Sequence, residues 1–111
     1  MSNQDNQANA AGVVTDWAAR LNSAISAARA GGLEVVSSVH LPSGELENPV
    51  ISSKLDPDYN RHDQEALSRR VRETSAEVNR VVRIAKHESL VVSLRVATGL
   101  LEIPVDISAR A

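Results

Sequence analysis

The run from Asp63 to His87 sets the tightest limit on what this chain can fold into. Leu67, Val71, Thr74, Val78, Val81 and Ala85 recur at alternating four- and three-residue steps. That spacing lines one face of an α-helix packed along its whole length. The stripe is short and Thr74 interrupts it, so it predicts a helix lying on a sheet or on one other helix rather than a long coiled coil.

A second helical pattern precedes it. Trp17, Leu21, Ala24, Ile25 and Ala28 form one apolar stripe. Thr15 reads as an N-cap, with Asp16 at the favoured end of the helix dipole. Gly31 and Gly32 stop the helix, because glycine reaches the left-handed backbone that closes one. Residues 1–11 are polar without periodicity and read as a disordered tail, leaving 12–111 as a single domain.

Between and after the helices the period changes to two. Leu33 to Leu41 alternates like a strand, and Leu41-Pro42-Ser43-Gly44 fits a type I turn. Val50 to Leu55 reads as a second strand, kept short or at an edge because Pro49 donates no ladder hydrogen bond. Asp56-Pro57-Asp58 ends it. Leu90 to Ala97 and Leu101 to Ile107 alternate again about a turn at Thr98-Gly99, predicting an antiparallel hairpin with Pro104 at an edge. The order α-β-β-α-β-β predicts a two-layer α+β domain, its two helices packed on one face of a small, mostly antiparallel sheet. No repeat of fixed period is read along the chain.

Composition then narrows the chemistry. Alanine and valine dominate the apolar residues, phenylalanine is absent, and Trp17 and Tyr59 are the only aromatics. A core of small aliphatic side chains in a chain of 111 residues buries little area, so a homo-oligomer is expected. The absence of cysteine excludes thiol catalysis, disulfides and thiolate metal sites. No secretory signal or membrane-spanning run is read, which places the protein in the cytoplasm with no membrane partner.

Searches for a catalytic or metal motif fail on particular residues. Asp56, Asp58 and Asn60 have the spacing of a calcium loop, but Arg61 and Leu67 stand where it needs glycine and glutamate. Asp58, His62 and Asp63 around one turn read as solvated loop residues rather than ligands. Ser43 near His40 lacks a nucleophile elbow, and the glycine pair ends a helix instead of opening one, so no phosphate loop exists. These absences predict a protein that is not an enzyme and carries no cofactor. An enzymatic alternative requires His40 or His62 beside a carboxylate from a neighbouring chain.

Charge is the remaining signal. Net charge is −2, yet residues 61–87 hold seven basic against four acidic side chains. At 100° per residue, Arg69, Arg72, Arg80, Arg83 and His87 fall within about 80° of one another, opposite the apolar stripe. Such a row predicts a binding surface for an acidic macromolecule, a protein first and a nucleic acid as the alternative. Against it, Glu65, Glu73 and Glu77 stand at helical spacing from Arg69 and Arg80 and offer local neutralisation. Trp17 reads as an anchor in the core or in an interface between chains.

Overall fold

The computed structural model describes residues 3–40, 44–53, 61–97, 100–102 and 106–109. Two long helices, α1 (Asn3–Ala30) and α2 (Arg61–His87), pack side by side. Each is followed by four short strands: β1 (Leu33–Val36), β2 (Val39–His40), β3 (Glu45–Leu46) and β4 (Val50–Ser53) after α1, then β5 (Leu90–Ser93), β6 (Val96–Ala97), β7 (Leu100–Leu101) and β8 (Asp106–Ala109) after α2. The fold is α+β, with two helices on small antiparallel ribbons. The expected turns at 41–44 and 98–99, the loop at 56–60 and Pro104 lie wholly or largely outside the described residues.

Among the described residues the expected single sheet is replaced by four separate two-stranded ribbons. β1 pairs with β4 and β2 with β3, so each half carries one antiparallel hairpin broken in the middle; β5–β8 and β6–β7 repeat the plan. In the first hairpin, Ser37 and Ser38 face a longer segment, Glu47 to Pro49, and one bridging bond from Glu47 N to Ser38 O (2.9 Å) crosses the gap. Pro49 has no N–H to continue the ladder, and unequal strand lengths make a bulge. Glu102 N bonds Arg95 O (3.0 Å) at the matching place in the second hairpin.

α1 begins far earlier than its expected cap. Thr15 lies inside the helix and its Oγ1 donates to Ala11 O at 3.1 Å, a back-bond in place of a cap. The polar residues expected as a tail are helical from Asn3, and Gln7 Nε2 donates to Glu88 O at 2.8 Å. Composition alone missed this because the contact is to the far end of the chain. The glycine stop is as expected: Gly32 adopts a φ of 87°, and a Cβ on Gly31 would collide with the Leu67 side chain. The stripe on α2 is also as expected, with Val71, Thr74, Val78, Val81 and Ala85 buried.

The absence of a repeat, read from the sequence, is overturned. Each element of the second half copies one of the first at a constant sequence offset through the helices and first strands: Leu21 and Val78, Ile25 and Val82, Ala28 and Ala85, Leu33 and Leu90 are all buried pairs. The halves are joined by reciprocal bonds. Gln7 caps the C-terminal end of α2, and Gln64 Nε2 caps that of α1 through Gly31 O (3.1 Å), so the helices run antiparallel. Asn22 of α1 holds both backbone groups of Leu101, accepting from its N–H (2.8 Å) and donating to its carbonyl (2.7 Å). Asn79 of α2 does the same for Leu46 (2.8 and 2.9 Å). Each helix therefore grips the hairpin of the other half. A buried strand end gets its donor and acceptor satisfied by one amide, which is why asparagine stands at both places.

Candidate interaction surface on the second helix

Arg69, Arg72, Arg80, Arg83 and His87 are all exposed on α2. The structure does not leave them equivalent. Arg80 is tied to Glu77 one turn back (2.7 Å), the local pair the spacing predicts. Arg83 crosses to β3, where its Nε and Nη2 donate to the two carboxylate oxygens of Glu45 at 2.7 and 3.1 Å. That two-pronged bond holds the Glu45 carboxyl below its ordinary range, and raises Arg83 in turn. Helical spacing holds no sign of this pair, because Glu45 belongs to the other half.

Arg69 and Arg72 make no ion pair among the described residues, and the expected neutralisation of Arg69 by Glu65 and Glu73 does not form. Arg72 lines a groove of about 580 Å³ between α2 and the first hairpin. Its other walls are Arg83, Ser75, Ala76 and Asn79 on the helix, and Glu47, Asn48 and Pro49 on the hairpin side. The hairpin wall was missed in sequence; nothing in the order Glu-Asn-Pro marks it as facing a helix. Two guanidiniums and the Asn48 amide supply donors along the groove, while Glu47 makes its charge mixed. These donors suit the oriented binding of a carboxylate or phosphate.

The remaining sequence candidates stay apart. His40 lies on β2 and His62 on the first turn of α2, both exposed. Asp58 lies outside the described residues, and no three histidine, aspartate or glutamate side chains converge among those described. No described helix is long and apolar enough to cross a membrane. Trp17 is half-buried against the core, with the Arg20 guanidinium 4.6 Å above its ring.

No protein-family model, curated protein or solved structure matches the chain.

Proposed function

We propose that the protein is a non-enzymatic, homo-oligomeric binding module of the cytoplasm that engages an acidic protein surface through the arginine face of α2. One comparison supports this. Arg69, Arg72, Arg80, Arg83 and His87 fall opposite Gly12, Thr15, Ser23, Ser26 and Ala30 when the two helices are matched. α1 performs the same structural tasks as α2, capping and gripping included, with no cation at any of the five positions. The shared architecture does not require the arginines, so their place on α2 is assigned to binding. Arg69 and Arg72, with no ion pair of their own among the described residues, carry the contact, and Arg72 orients a bound carboxylate from the helix wall of the groove.

The test is a fluorescence anisotropy titration with a labelled polyglutamate peptide, comparing the native protein with R69E/R72E. Reversing both charges is expected to weaken binding by about tenfold, corresponding to about 1.4 kcal/mol, without lowering the melting temperature. Equal affinity in the two proteins overturns the assignment. A labelled oligonucleotide run in parallel decides the nucleic-acid alternative, which requires tighter binding than the peptide and a steep loss with added salt.

A further inference from the structure

The reciprocal contacts fix which side of the helix pair is covered. Two antiparallel helices exchanged by a two-fold axis can only have that axis perpendicular to the plane they share. The hairpins gripped by Asn22 and Asn79 are exchanged by the same axis, so both lie on one side of the plane. The molecule is accordingly a slab, 17 Å in its shortest Cα extent and 56 Å in its longest. Among the described residues its second broad face is helix alone.

Val13, Arg20, Glu77 and Ile84 stand on that face, together with exposed Arg70 and half-buried Trp17. At 100° per residue, Val13 and Arg20 point about 180° and 160° away from Asn22, and Glu77 and Ile84 about 160° and 140° away from Asn79. Val13 and Ile84 meet at one end in a cleft of about 310 Å³. They are 36% and 44% exposed; Val36, Val50 and Val91, the other exposed large hydrophobics among the described residues, stand on the ribbons. Arg20 and Glu77 lie at the middle. With Gln7 level with Glu88 and Gln64 level with Gly31, the centre of the pair falls between Ala19 and Ala76. Arg20 and Glu77 each stand one residue, about 1.5 Å, from it, on different helices.

We propose that a second copy of this chain docks on this face, related by a two-fold axis running along the helices. The proposal rests on the self-association included in the function above and assigns it a surface. This operation lays α1 of one copy over α2 of the other. It brings the Val13–Ile84 end of each copy onto the same end of the second copy, and puts Arg20 of each over Glu77 of the other. Arg20 already pairs with Asp16 (3.0 Å) and Glu77 with Arg80 (2.7 Å), all at exposed positions. Docking joins them into two rows of alternating sign, Asp16–Arg20 facing Glu77–Arg80. The alternative axis, across the helices, would set Val13 and Ile84 against the Arg70 end and is disfavoured on both charge and apolar grounds. A symmetric interface of this type is self-complementary, with every contact made twice.

Sedimentation equilibrium of the full chain tests the proposal, with far-UV dichroism confirming that each variant is folded. The native protein is expected to dimerise, and I84E, at an exposed position, to weaken the dimer at least about tenfold. R20E and E77R are each expected to weaken it, and R20E/E77R to restore it, because the swap rebuilds both cross-pairs. A native protein that stays monomeric at high concentration overturns both the face and self-association. A dimer indifferent to I84E, or one the double swap does not rescue, overturns the face alone and leaves self-association standing. R72E serves as the control; Arg72 stands about 120° from Ile84 and 140° from Glu77, and its dimerisation should match the native protein.

Discussion

The first and second halves of this molecule share a skeleton and differ in their surface. Glutamine caps, asparagine grips and a left-handed residue after each helix occur in both. Gly32 takes φ 87° and its counterpart Ser89 φ 62°. The Arg69, Arg72, Arg80 and Arg83 stripe on α2, the buried serine after β1 and the Glu45–Arg83 pair occur in only one half. Features present twice are those that hold the fold, since losing either would open one hairpin or free one helix end. Features present once are free to serve something other than folding.

The grips carry the strongest prediction. Leu46 and Leu101 are 6% and 3% exposed, so N79A and N22A each strand a backbone N–H and a carbonyl in the interior. Two unsatisfied buried groups cost about 2–4 kcal/mol. Urea unfolding should show nearly equal losses for the two variants, with the double variant losing at least their sum. A large loss in one and none in the other would break the equivalence of the halves.

These asparagines also explain why the repeat was illegible. The halves keep volume and position more than identity: Leu21 against Val78, Ala24 against Val81, Ile25 against Val82. Identical pairs such as Gln7 and Gln64, Asn22 and Asn79, Val39 and Val96 are scattered among them. The register then slips in the hairpins, because Val39 to Leu46 is longer than Val96 to Leu101, so no single period spans the copy. Periodicity showed the helices, the strands and the α+β class, since each follows from local burial. The swapped grips, the Gln7 cap and the Glu45 pair join residues far apart in sequence, and local pattern holds no trace of them. For the arginine face, the sequence located the residues and their exposure; which of them remain unpaired depended on a hairpin it could not place.

Smaller effects are expected where the halves disagree. Ser89 holds a left-handed φ without being glycine, and S89G should relieve that strain for a gain of about 0.5–1 kcal/mol, less than the full cost of the conformation because glycine also loosens the unfolded chain. G32S should lose a comparable amount. Ser37 presents a second disagreement: its Oγ is buried with no partner among the described residues, whereas Leu94 fills the matching place. S37A removes an unsatisfied hydroxyl and should raise stability by about 1 kcal/mol. Thermal or urea midpoints that fall for S89G or S37A would show that the site concerned is not a misfit in its half.

The smallest effect concerns pH and separates the two hairpins. Arg83 bonds Glu45 on the first hairpin, while their counterparts, Ser26 and Leu100, cannot titrate. The Arg83 bond holds Glu45 below its ordinary value of 4.5. A carboxyl depressed in the folded state adds stability that is complete above its unfolded value and is lost as pH falls through the folded one. The pair is exposed on the arginine side, so solvent screening keeps the effect slight. Amide hydrogen exchange resolves it locally: on acidification below 4.5, once intrinsic exchange rates are corrected for pH, protection at Leu46 should fall relative to Leu101. In E45Q that difference should vanish. Equal behaviour of Leu46 and Leu101 in the native protein would mean that the Glu45–Arg83 bond does not help α2 hold its hairpin, and that the asparagine grip alone fixes both.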